Sequence, residues 1–303
     1  MSFAELCVTT NFSFLRSGSH PEEMVETAQA LGLAGLGVAD RNTLAGAVRA
    51  HVMARQLGVR LLVGARLAFR DGTPDLIAYP KDRAGFAHLT RLLTVGNRRA
   101  PKGECWLDFA DYLACAEGLQ TILVPAFALG EDPEPISGRL RDIQRACGQV
   151  WLAAPFQFNG EDGRRIGLLK RVAAQTGARL IATTEPLMHC GERRALLDVL
   201  TCIREKKKLC EAGALLAKNA ERQLKPPAEI RRLFASAPEA VEESLRFMEG
   251  VGFSMDDLRY EYPEETAEGF ADPQAALAHL ARNGLKTRYP QGVPQAVADT
   301  LER

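Results

Sequence analysis

Short apolar runs alternate with helix-length amphipathic segments over roughly 200 residues, and this alternation constrains the fold more than any other feature. The runs are AELCV (4–8), LAGLGVAD (33–40), RLLVGARLAF (60–69), DLIAYP (75–80), TILVPA (121–126), VWLAAPF (150–156) and RLIATT (179–184). Between them lie helical patterns with start and stop signals. In HPEEMVETAQALG, Ser19 or His20 is the cap, Pro21 sits in the first turn, acids follow and Gly32 ends the segment. Five more such segments begin NTLAG, KDRAG, SGRLR, EDGRR and ERRAL. Asp71-Gly72 marks a hairpin bend between the third and fourth runs. The pattern predicts an α/β fold with a largely parallel sheet; a distorted barrel and an open doubly wound sheet both fit it. Neither G-x-G-x-x-G after the first run nor G-x-x-x-x-G-K-[ST] occurs, which disfavours the common nucleotide-binding sheets.

After about residue 210 the strand patterns stop. PPAEIRRLFASAPEAVEESLRFMEGVGFSM reads as two helices punctuated by Pro226, Pro227 and Pro238. LRYEYPEETAEGFADPQ reads as a linker, and a further helical pattern runs on to Arg303 with no stop signal. This reads as the front of a longer protein.

Composition enters mainly by exclusion. Of 303 residues, 46% are hydrophobic, enough for a substantial core; 38 basic residues balance 38 acidic ones. No global charge pulls the chain toward nucleic acid or membrane, so any such affinity is local. Seven cysteines without a C-x-x-C fit a reducing cytoplasm better than a disulfide framework. The N-terminus does not read as a signal peptide.

In parallel α/β folds chemistry collects where strands end. Those positions are Cys7 and Thr9, Asp40 and Arg41, Arg66, Pro125, Pro155, and Thr183 to Leu187. Only Asp40 and Glu185 are good ligands for a zinc or manganese ion. Arg41 and Arg66 stand where a cation would bind, and neither can deprotonate to become a ligand. Cys7 is a thiolate candidate, though free cysteine in a strand is more often a small buried filler. Thr9 and Thr10 fit capping or turn roles. His20, His51, His88, His189 and His279 are scattered and predict no cluster; without G-x-S-x-G, a Ser-His-Asp triad has no support. Two basic loops are candidate phosphate contacts: Arg98, Arg99 and Lys102, and Lys206, Lys207 and Lys208. A solvated helix end is an equal reading of both.

Beyond these residue-level readings, AELCVTTNFSFLRSGSHPEEMVETAQALGLAGLGVADRNTLAGAVRAH resembles the start of a PHP (polymerase and histidinol phosphatase) domain, as found at the N-terminus of bacterial C-family DNA polymerases. LLVGARLAF, LLDVLTCIRE and AERQLKPPAEIRRLF resemble its error-prone, mutagenesis-associated branch. LRYEYPEE and GLKTRYPQGVP resemble the stretch where that family passes into the palm. The resemblance implies a distorted β/α barrel of about seven strands at 1–210, a helical extension and linker at 211–265, and the beginning of the palm at 266–303.

It also places the family's metal motifs. Its His-x-His falls on Cys7 and Thr9, its Asp-His on Asp40 and Arg41, a Glu on Arg66, and its Asn-Asp-x-His on Thr184 to Leu187. Two carboxylates survive and every matched histidine is gone. The expectation is a metal-free barrel without phosphoesterase activity, with Asp40 neutralised by Arg66 or Arg41 and no catalytic residue in this chain. The family's polymerase activity implies magnesium in a palm outside the chain, a DNA primer-template, the sliding clamp and mutagenesis accessory proteins as partners, and a cytoplasmic location. Two rival readings are a metal-dependent phosphoesterase or proofreading nuclease rebuilt on Cys7, Asp40, Glu185 and His189, and a standalone interaction module.

Overall fold

The computed structural model describes residues 2–126, 129–259 and 269–302. Among these, seven strands form one sheet: β1 (Ala4–Val8), β2 (Gly35–Arg41), β3 (Leu61–Leu67), β4 (Leu76–Pro80), β5 (Leu119–Leu123), β6 (Val150–Pro155) and β7 (Arg179–Thr183). The helices are α1 (Pro21–Ala30), α2 (Ala47–Leu57), α3 (Arg83–Arg99), α4 (Phe109–Cys115), α5 (Glu134–Cys147), α6 (Asp162–Thr176), α7 (Arg194–Glu205), α8 (Leu209–Ala212), α9 (Pro227–Leu233), α10 (Pro238–Glu249), α11 (Pro273–Arg288) and α12 (Gln295–Glu302). The chain divides into two units, one running up to Leu258 and a second from Arg259, which holds α11 and α12.

The strands lie in sequence order, β1 to β7, and all pair in parallel except β4, which is antiparallel to both neighbours. A doubly wound sheet would reverse that order part-way; sequential winding brings the two edges round to each other. The edges do meet. Thr9 N donates to Pro186 O at 3.2 Å, and the Glu5 carboxylate on β1 accepts from Thr183 Oγ1 (2.6 Å) and Thr184 N (3.1 Å) beside β7. The fold is therefore α/β, a distorted and nearly closed barrel. The β3–β4 hairpin turns at Gly72, whose φ of +80° suits glycine.

Alternate strand residues point inward and fill the barrel, among them Leu6, Leu62, Tyr79, Ile122, Trp151 and Ile181. Tyr79 crosses the interior and donates to Leu6 O at 2.6 Å. It fits because Gly64 faces it: a Cβ there would lie 2.6 Å from the Tyr79 ring and 2.5 Å from Ala78 O. A larger layer packs the outer sheet face against α3 to α6 and α9, and a smaller one packs β1 and β2 against α1 and α2.

Helix α10 closes the end of the barrel where the parallel strands start. Ser244 Oγ accepts from Ala4 N at 3.2 Å, Trp151 Nε1 donates to Glu243 at 3.1 Å, and Phe247 is buried among the interior residues. With that end plugged, the opposite end is left open. Strands β3, β5, β6 and β7 finish somewhat before their apolar runs do. The short helices α4 and α8 carry no clear periodic signature, and residues 260–268 of the expected linker lie outside the described residues.

Candidate functional site

Where the parallel strands end, their last residues and following loops line a cleft of about 580 Å³. Thr9, Arg41, Arg66, Pro125, Gln157, Glu185 and Leu187 reach it from the strand ends, and Asp75 joins from the start of antiparallel β4. Backbone conformation is strained around this rim. Glu185 (φ +45°), Leu15 (+58°), Asn42 (+52°) and Phe158 (+55°) all sit in the left-handed region, which is costly for side chains with a Cβ.

The centre of the cleft is an ion-pair network. Arg66 Nε donates to Asp75 Oδ2 at 2.7 Å, and Arg66 Nη1 donates to Glu185 Oε1 at 2.8 Å. Arg41 Nη1 adds a 3.2 Å bond to the same Asp75 oxygen. Gln157 Nε2 donates to the other Glu185 oxygen at 3.0 Å, and Arg222 Nε donates to Glu185 O at 3.0 Å. Burial alone would raise the Glu185 pKa; Arg222 and Arg66 beside it, with the hydrogen bonds, carry it below the ordinary carboxylate value instead. Arg66 is likewise opposed by burial, but Glu185 and Asp75 hold it firmly protonated.

Asp40 is not part of this network, which corrects the expected pairing with Arg66 or Arg41. Its carboxylate accepts from Thr10 N (2.8 Å), Thr10 Oγ1 (2.7 Å) and Ser13 Oγ (2.7 Å). The hydroxyl-rich turn TTNFS after β1 satisfies it, and the arginines go to the carboxylates across the cleft. Burial nevertheless leaves the Asp40 pKa raised against those hydrogen bonds. Cys7 is buried among the barrel interior residues. Burial, then the Glu5 and Glu185 charges, pushes its thiol pKa well up, which disfavours a thiolate ligand.

The donor set therefore does not fit a cation. Of the two expected carboxylate ligands, Glu185 is taken up by the Arg66 guanidinium, which also holds Asp75, and Asp40 by Thr10 and Ser13; burial pushes the Cys7 thiol pKa up, and Leu187 has no donor. Among the described residues no three His, Cys, Asp or Glu side chains gather as ligands. His189 is outside the cleft lining and bonds Ser19 Oγ at 2.8 Å, so the rival set Cys7, Asp40, Glu185 and His189 is not assembled in one place.

Residues 5–148 match the family model described as PHP domain. The chain carries a PHP domain. Over 310 residues it is 44% identical to an error-prone DNA polymerase of Rhodopseudomonas palustris strain BisB5, covering 100% of this chain and 28% of that protein. The error-prone DNA polymerase of Brucella abortus biovar 1 is 46% identical over 293 residues, covering 95% and 27%. That of Caulobacter vibrioides is 43% identical over 300 residues, covering 99% and 28%. The chain thus spans a little over a quarter of these relatives' length. Two solved structures share a looser likeness to this chain. One is a putative metal-dependent phosphoesterase from Bifidobacterium adolescentis (TM-score 0.45, 15% identity, 61% of this chain and 87% of that one). The other is an amidohydrolase from Chromobacterium violaceum (TM-score 0.46, 14% identity, 62% and 88%).

Sequence reasoning missed three participants in the cleft: Asp75, Gln157 and Arg222. Asp75 immediately precedes β4, Gln157 follows β6 by two residues and Arg222 lies in irregular chain, so only the fold joins them. Of the basic loops, Arg99 is held by Asp111 through bonds of 2.8 and 3.0 Å, which leaves it less available than expected. Arg98, Lys102 and Lys206 to Lys208 are exposed.

Proposed function

We propose that this PHP barrel belongs to an error-prone DNA polymerase and serves it as a structural and docking module, without metal and without hydrolytic activity of its own. One observation carries the reading. Arg66 lies between Asp75 and Glu185, so fixed positive charge stands where hydrolysis would need a metal-bound water. The polymerase relatives support the assignment of the longer protein to DNA-directed, damage-tolerant synthesis in repair and replication. Its magnesium ions and catalytic carboxylates would then lie in a palm beyond this chain. Primer-template DNA, the sliding clamp and mutagenesis accessory proteins would be its partners in the cytoplasm.

Helix α7 offers a surface for docking. Leu196, Val199 and Ile203 are exposed along one helical stripe, 40%, 48% and 57% respectively, instead of packing on the barrel. Arg98, Lys102 and Lys206 to Lys208 are the basic residues available for DNA phosphates in the longer protein.

The test is hydrolysis of p-nitrophenyl phosphate and of a 3′-mismatched primer with manganese, zinc or magnesium. The proposal expects no turnover above the rate without protein. Metal-dependent turnover that disappears in Asp40→Ala would establish the rebuilt hydrolase instead.

A further inference from the structure

The cleft holds more positive charge than its own ion pairs need. Arg16, Arg41, Arg66, Arg165, Arg204 and Arg222 line it against two carboxylates, Asp75 and Glu185, a formal surplus of four positive charges. Their engagements differ. Arg66 is held by both carboxylates, Arg41 by Asp75 and Arg222 by Glu185. Arg204 reaches Glu205 at 2.9 Å and Leu15 O at 2.8 Å. Among the described residues, the guanidinium groups of Arg16 and Arg165 have no ion-pair or hydrogen-bond partner. Like charges lining one cleft repel. Burial, then the neighbouring Arg41 and Arg204 charges, lowers the Arg16 pKa. An anion in the cleft would relieve this repulsion, and planar guanidinium forks match a phosphoryl group's oxygens two at a time.

A second groove of about 780 Å³ adjoins the first and shares Arg16 and Arg41 with it. It is lined by Phe12, Phe14 and Trp106, and Phe14 is 80% exposed. A large aromatic ring left in solvent beside an arginine cluster offers a stacking face for a base. Arginines at one side and aromatic rings at the other match the two halves of a nucleotide.

We propose that the arginine cleft binds, without a metal, the phosphoryl group of a nucleotide or of a nucleic-acid strand end. Arg16 and Arg165 make the first contacts, Arg41 and Arg222 supply charge behind them, and the base lies toward Phe14. This rests on the geometry of the cleft alone and holds whether or not the longer protein is a polymerase.

The test is calorimetric titration of the 303-residue chain in EDTA with deoxyadenosine, deoxyadenosine 5′-monophosphate, inorganic phosphate, and one oligonucleotide with and without a 5′-phosphate. The monophosphate is expected to bind with Kd tighter than about 1 mM, while deoxyadenosine does not. Arg16→Gln with Arg165→Gln is expected to weaken binding at least about tenfold, by loss of charged hydrogen bonds. Its melting temperature should stay unchanged, since neither side chain has an internal partner among the described residues. Arg232→Gln on α9, outside the cleft, should bind as the parent does. A free nucleotide as ligand predicts that the monophosphate outcompetes both oligonucleotides; a strand end predicts that only the 5′-phosphorylated oligonucleotide competes with it. The proposal is overturned if no phosphorylated probe binds in EDTA, if binding requires manganese, or if the double variant binds as tightly as the parent.

Discussion

At the residue scale the decisive side chain is Arg66. It bridges two carboxylates from different parts of the chain, and a buried carboxylate deprived of its cation is costly. Arg66→Met should destabilise the chain by about 3 kcal/mol, because Asp75 and Glu185 lose their shared donor and only Arg41 and Arg222 remain. Denaturant unfolding would show it; an unchanged midpoint would mean the network contributes nothing. Glu185 gives the pH signature. Its pKa in the fold lies below the ordinary 4.5, so the stability it contributes is full above that value and lost as pH falls through the lower folded value. Glu5 and Asp40 are raised and act oppositely: their contribution is present at low pH and fades as pH rises through their folded values. The melting-temperature gap between the parent and Glu185→Gln should therefore narrow on going from about pH 7 to about pH 3.5. A constant gap would contradict the assignment.

Much of this site is legible in the sequence. Strand-end positions place Arg41, Arg66 and Glu185 in one cleft, because strand period and turn signals locate strand ends. The partners are not legible. Asp40 and Arg41 are chain neighbours, yet they face different groups, and the Thr10 and Ser13 hydroxyls that satisfy Asp40 look in sequence like ordinary turn residues. Asp75 follows a hairpin and Arg222 lies in irregular chain, so no spacing rule links either to Arg66.

At the scale of elements, closure of the barrel depends on β1 meeting β7. Glu5 is the latch: it is buried, and its carboxylate accepts from Thr183, Thr184 and the Cys7 backbone. Burial raises its pKa against those hydrogen bonds, which marks a carboxylate retained at an energetic cost. Glu5→Ala should cost about 2–4 kcal/mol by leaving several buried donors unsatisfied, and hydrogen exchange should accelerate first in β1 and β7. Exchange that quickens evenly across all seven strands would argue against a latch. The elements themselves follow from periodicity, and β1 matches its apolar run at both ends. A charged residue inside that run gives no hint of its role, because its partner Thr183 lies 178 residues later in the chain.

At the scale of the whole molecule, α10 plugs one end of the barrel and the arginine cleft opens at the other. Strand order decides between the two architectures that periodicity leaves open, since order is a property of the tertiary fold. In this barrel, we propose, arginine charge takes the place of a metal. Elemental analysis after incubation with zinc and manganese and gel filtration tests it most directly. Far less than one equivalent of either metal is expected to stay bound, with no change in Asp40→Ala or Glu185→Gln. One bound equivalent in the parent, lost in those variants, would contradict it.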